Sequence, residues 1–171
     1  MMRFLMTTIM SLICLVLLTF KSHAQNLPNG VFEFKPEIIK EISKRLKSTI
    51  ASQGDDVLEK LAFELVGSDV GYNMFLVFRA NTGTSEIHRT VSDLHTAVEG
   101  RATLVIGGKL VDEYELSPGQ MRGTSIKGGT EFKLEAGDAI NIPANVAHHV
   151  VVAPGEQYMY FVYQVDSALV K

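Results

Sequence analysis

The spacing of apolar positions changes twice along this chain. From Phe4 to Phe20 they are almost continuous, broken only by small polar residues. After Pro36, Ile38, Ile39, Ile42, Leu46 and Ile50 return at helical spacing with lysines and glutamates between them. This predicts one amphipathic helix that starts on its proline and ends near Gly54. Its apolar stripe is expected to pack across a sheet or against a partner subunit. Beyond Lys60 the pattern becomes that of strands. Short runs of branched and aromatic residues occupy 61–66, 73–80, 93–99, 102–106, 109–116, 131–134, 138–142, 148–153 and 158–165, and glycine-rich turns separate them. Many short strands without intervening helices predict a mainly β chain, a sandwich or a barrel.

The first apolar run changes how the rest is read. Arg3 precedes it, and Lys21, Ser22, His23 and Ala24 follow, with small residues at the two positions a signal peptidase requires. Charge, apolar core and small-residue exit are those of a secretory signal peptide; the other reading of the run is an N-terminal membrane anchor. Cys14 is not read as a lipoprotein cysteine, because bulky Ile13 stands before it. The expectation is that residues 1–24 are removed and that the protein is periplasmic or secreted, with no membrane attachment afterwards.

Of 171 residues, 147 then remain, enough for one domain with its own core. The expected plan is a lead-in and helix over 25–59 and a β-barrel over 60–171. Cys14 is the only cysteine, so the mature chain has neither disulfides nor thiolate metal ligands. With Arg3 and Lys21 gone, 14 basic residues face 19 acidic ones, a net charge of −5 with no basic stripe. Nucleic acid is therefore not an expected partner.

The candidate chemistry lies in the histidines. Apart from His23 there are four, His88 and His95 in EIHRTVSDLHTAVEG and His148 and His149 in GDAINIPANVAHHV. Residues two apart on a strand share a face. Glu86 therefore aligns with His88, and Asp93 with His95 after a turn at Thr90–Ser92. Pro143-Ala144-Asn145 makes another turn, His148 opens the next strand, and His149 is expected to face outward. Two imidazoles with one or two carboxylates suit a divalent first-row metal. Bland readings remain beside this one: a polar core for the histidines, turn capping for Asp93, a rim salt bridge for Glu86 and strand packing for Tyr158, Tyr160, Phe161 and Tyr163. Arg122 and Lys127 are read as exposed loop charges or as contacts to an anionic ligand.

These residues resemble the two motifs of the cupin family. Counting back from Gly100 puts Asp93 at that family's glutamate, His88 at its second histidine and Glu86 at its first. In the second motif Gly137, Pro143 and His148 match, while Asn145 replaces a glycine and Val152 an asparagine. The resemblance covers most of the mature chain. It implies a double-stranded β-helix, or jelly-roll barrel, with the N-terminal helix outside it.

The resemblance also implies a metal set of Glu86, His88, Asp93 and His148, two of whose members are oxygen donors here. Asp93 is one methylene shorter than the family's glutamate, so His95 stands as a fourth ligand or as a group for proton transfer, a role also open to Glu86. Zinc or manganese is favoured as the divalent ion, with iron possible. The implied functions are a metal-dependent enzyme on a small organic molecule, a non-catalytic binder of a sugar or metabolite, or a metal-free structural barrel. A homodimer is expected by analogy.

Overall fold

In the computed structural model, residues 30–54 and 57–170 are described. The proposed signal peptide lies outside them. Phe32–Lys171 forms one unit, and of the other, Met1–Val31, only Gly30 and Val31 are described. Helix α1 (Pro36–Ala51) begins on its proline, with Glu37 in its first turn, and buries Ile42, Leu46 and Ile50. These three meet Ala62, Leu76, Phe78 and Met159 in one apolar cluster. The stripe legible in the sequence therefore packs on a sheet of its own chain. Among the described residues no helix is long and apolar enough to cross a membrane.

Twelve strands follow: β1 (Leu61–Asp69), β2 (Tyr72–Arg79), β3 (Ser85–His88), β4 (Val91–Ile106), β5 (Lys109–Val111), β6 (Tyr114–Ser117), β7 (Gln120–Gly123), β8 (Ser125–Lys127), β9 (Thr130–Glu135), β10 (Ala139–Ile142), β11 (His148–Val151) and β12 (Tyr158–Asp166). Ten of them form one antiparallel sheet in the order β1-β2-β12-β4-β11-β3-β7-β6, with β9 and β10 also paired to β4. The sheet curls because β4 is shared. Its first half pairs β12 and β10, and its second half pairs β11 and β9. The interior between the two halves holds Val77, Ala97, Leu104, Leu134, Ile142, Val150 and Tyr158. The mainly β architecture with one N-terminal helix agrees with the sequence.

Two local differences have physical causes. The runs 93–99 and 102–106 are one strand, because Gly100 takes a φ of +73° and lets β4 turn from one half of the sheet to the other without a break. A Cβ there would collide with the carbonyl oxygen of Gln157, so this motif glycine is needed for close backbone approach. The run 109–116 is two strands, divided where Asp112 adopts a φ of +51°.

Candidate functional site

Strand pairing accounts for the site almost residue by residue. Cross-strand neighbours lie about 4.5–5.5 Å apart at Cβ, so a register fixes which side chains meet. On β3, Glu86 and His88 share the inner face, and β7 places Arg122 opposite Glu86 and Gln120 opposite His88. On the other side of β3, His148 of β11 faces Glu86. On β4, Asp93 and His95 point inward beside Gln164 and Val162 of β12. The turn between β10 and β11 is tied to the first segment twice. The Asn145 N–H donates to the His88 carbonyl at 2.7 Å, and the Ala144 N–H donates to the Ser92 hydroxyl at 3.0 Å. Asn145 stands at φ +62°, the left-handed region that asparagine tolerates better than most residues. The motif's loss of glycine there is thus accommodated.

Five donor atoms approach one another in the lining of a cavity of about 250 Å3. His88 Nε2 lies 3.3 Å from Glu86 Oε2 and 3.4 Å from Asp93 Oδ2. His148 Nε2 is 3.7 Å from the same Asp93 oxygen, and His95 Nε2 is 3.8 Å from it. A first-row divalent ion with bonds of about 2.0–2.2 Å holds adjacent donors roughly 3.0–3.5 Å apart; the two His88 contacts fall in that range, and those of His148 and His95 to Asp93 are longer. Glu86, His88 and His148 form a group able to hold a metal.

The outer contacts orient this set. His88 Nδ1 bonds the Gln120 side-chain oxygen, and His148 Nδ1 donates to the Val146 carbonyl at 3.1 Å. With an ion bound and the proton at Nδ1, each ring would turn its Nε2 lone pair toward the cavity, the usual arrangement behind ligating histidines; without one, His88 Nε2 faces the Glu86 and Asp93 carboxylates as a donor. The Gln164 amide donates to Asp93 Oδ1 at 3.2 Å, which leaves Oδ2 facing the three imidazoles.

Charge is distributed unevenly over these groups. Burial opposes ionisation of Glu86, yet its bond to His88 and the charges of Arg122, His148 and Arg79 outweigh that and hold its carboxyl far below the ordinary range. Burial likewise disfavours a charged His88, but the Glu86 and Asp93 carboxylates prevail and raise its pKa. His148 is lowered, chiefly by burial, and so stays neutral more readily. Positive charge is therefore drawn to His88 Nε2, the point nearest both carboxylates.

All the residues selected from the sequence, Glu86, His88, Asp93, His95 and His148, line this one cavity. His95 stands slightly apart with its ring against Tyr160, centroids 4.7 Å apart, and its Nδ1 is buried without a hydrogen-bond partner. His149 corrects an expectation. It points away from His148 but is buried, not outward, with Nε2 bonded to the Gly83 carbonyl at 2.8 Å, because residues 82–85 cover that face of β11. Lys127 is exposed and is not among the lining residues, whereas Arg122 is.

Three polar lining residues, Arg79, Gln120 and Gln164, had escaped the sequence reading, and Tyr160 had been read as strand packing. Arg79 donates to the Tyr160 hydroxyl at 3.2 Å and pairs with Glu86 at 3.3 Å, and Gln120, Tyr160 and Gln164 complete the polar wall. The one available signal was Arg79 as the sole charge in the apolar run 73–80. Glutamine and tyrosine give none, since both are ordinary on half-buried strands.

No family model matches the chain. No curated protein matches it either. Among solved structures it is similar to a Cupin 2 conserved barrel domain protein from Salinispora arenicola, with 20% identity over 65% of this chain and 80% of that one and a TM-score of 0.45. KdgF from Halomonas sp. is similar at 13% identity over 62% of this chain and 78% of that one, TM-score 0.46. An oxalate oxidase is similar at 19% identity over 69% and 57% of the two chains, TM-score 0.46. The curled antiparallel sheet, with the two histidine-bearing segments brought to one cavity, is the arrangement that the motif resemblance in the sequence implies.

Proposed function

We propose that this protein is an exported, metal-dependent enzyme acting on a small organic molecule inside its barrel, in a reaction of the isomerase, lyase or oxygenase kind. One observation carries the proposal: two segments about fifty residues apart deliver nitrogen and oxygen donors to a common point in the lining of a cavity. Glu86, His88, Asp93 and His148 are the ligands in this reading. Zinc or manganese is favoured, because two oxygen donors and no thiolate give a hard site and ferrous iron is scarce outside the cytoplasm; iron stays possible. The leader over 1–24, the barrel over 60–171 and a homodimer complete the proposal on the strength of the sequence and the family resemblance.

A divalent ion bound here would polarise a carbonyl or an enolate oxygen. The chain's own residues do the rest. Gln120 and the Val146 carbonyl fix the two imidazoles, Gln164 holds Asp93, and the two arginines keep Glu86 anionic. His95 reaches the cavity with Nε2 beside, not inside, the tightest cluster, so it is the group placed to move a proton at the bound molecule. Leu61, Phe75, Val77, Val150 and Val162 supply apolar lining for the body of a bound molecule.

The test is proton exchange. Metal-loaded protein is incubated in deuterium oxide with small carbonyl and enol compounds and followed by NMR. Metal-dependent exchange at a carbon beside a carbonyl, reduced at least a hundredfold in His95→Gln with metal retained, is expected, since general acid–base catalysis contributes about 10²–10⁴-fold. No exchange with any compound would favour the second reading, a non-catalytic binding protein, which the apolar wall would serve equally well.

A further inference from the structure

Arg122 is the feature that the metal site does not fully use. Its Nη2 lies 3.3 Å from Glu86 Oε2 and its Nη1 donates to the Met121 carbonyl at 2.9 Å. A guanidinium carries five N–H donors in a planar fork, so most of its donors stay open while the side chain, 16% exposed, lines the cavity. Arg79 differs. It is buried and engaged with Tyr160 and Glu86, and serves the wall of the site.

Charge arithmetic over the lining points the same way. Arg79 and Arg122 balance Glu86 and Asp93, so the cavity wall would be neutral once the histidines are deprotonated, as metal ligation requires. A divalent ion there then leaves two positive charges in a space walled largely by buried side chains. Such an excess is costly in low dielectric unless something anionic enters with the ligand. Leu61, Phe75, Val77 and Val162 give the lining an apolar stretch, and Arg79 on the same strands is already engaged with Tyr160 and Glu86. At about 250 Å3 the cavity lies below the roughly 300–1,000 Å3 of sites that hold drug-sized ligands.

We infer that the cavity takes a small monocarboxylate with an aliphatic or aromatic body. The carboxylate lies between Arg122 and the metal position, and the body rests on the apolar wall formed by β1, β2 and β12. Arginine is the side chain suited to this, since its fork matches a carboxylate bidentately where lysine offers a point charge. This rests on the metal-site reading for half of the anion's attraction, and on Arg122 alone for the other half.

Benzoate and its uncharged isostere benzamide are titrated by calorimetry into wild type, Arg122→Gln and Arg122→Lys, each in metal-loaded and metal-stripped form, with metal content and thermal melting recorded on the same samples. Wild type is expected to prefer benzoate at least tenfold when loaded, and less but still measurably when stripped. Arg122→Gln should lose most of the preference while keeping its metal, and Arg122→Lys should keep only part of it. Equal binding of the two probes in both forms, or an unchanged preference in a folded Arg122→Gln protein, would overturn the inference. A protein that takes up no metal, yet whose stripped form shows an Arg122-dependent preference for benzoate, would sink the metal reading and leave the carboxylate site standing. Lys at 122 secures the outcome if Gln at this position fails to fold, since it preserves the charge beside Glu86.

Discussion

Strands β2, β4 and β12 bury side chains on both faces, and the two faces differ in chemistry. On the convex face Leu76, Phe78 and Met159 are 0–1% exposed and meet Leu46 of α1. On the concave face the polar Arg79, Asp93, His95 and Tyr160 are only 3–5% exposed, among buried apolar neighbours such as Val77, Ala97 and Val162. Burial alone therefore does not separate core from site; side-chain chemistry at the same depth does. Replacing buried ion pairs by apolar residues is often neutral or stabilising in proteins, so such pairs are weak evidence of a stability role. The convex face holds the fold together, and the concave face keeps groups whose retention makes sense through what they bind.

The sharpest way to break this contrast is Glu86→Gln. Removing one partner of a buried charge cluster leaves Arg79 and Arg122 uncompensated and should cost about 3–5 kcal/mol at neutral pH in metal-free protein. The sign with pH follows from Glu86's lowered pKa. Its stabilisation is present above the ordinary 4.5 and is lost as pH falls from there through the folded-state value. His88, raised above 6.5, contributes stability that is full below 6.5 and lost as pH rises through its folded value; His148, lowered, contributes in the opposite sense. The two imidazoles thus act in opposite senses near neutrality, and Glu86 contributes to the acid limb. Urea midpoints between pH 7 and pH 2 should fall steeply for wild type below 4.5 and much less for the variant. Parallel limbs would refute the pairing.

On the convex face Leu76→Ala should destabilise by about 2–5 kcal/mol, the range for emptying a fully buried leucine site, while metal affinity stays within twofold of wild type. A large loss of affinity would mean that the two faces are not independent. A smaller effect, read the other way, is expected for Gln120→Ala. Loss of the partner of His88 Nδ1 should weaken metal binding by about 10–100-fold, with a melting temperature changed by only a few degrees. Metal competition titrations and thermal melts on the same samples check both variants.

The convergence at the cavity was legible because His88 and His148 sit in patterned segments with turn residues at fixed places. Helix α1 was legible because five isoleucines and leucines repeat at helical spacing. What escaped was set by register and covering layers. His149 was assigned outward by strand alternation, which was right about direction and silent about residues 82–85 lying over it. Gln120 and Gln164 become relevant only once β7 and β12 are aligned with β3 and β4, and no local pattern announces that alignment. Gly100 was legible as the motif's closing glycine between two runs, whereas its positive φ lets a single strand serve both halves of the sheet.

The central claim is that Glu86, His88, Asp93 and His148 hold one divalent ion. Elemental analysis of the protein purified from its natural compartment, beside a His88→Ala/His148→Ala double variant of matched fold, tests it most directly. One zinc or manganese ion per chain in the first and none in the second is the expected result. No metal in either protein, or equal metal in both, would contradict the claim.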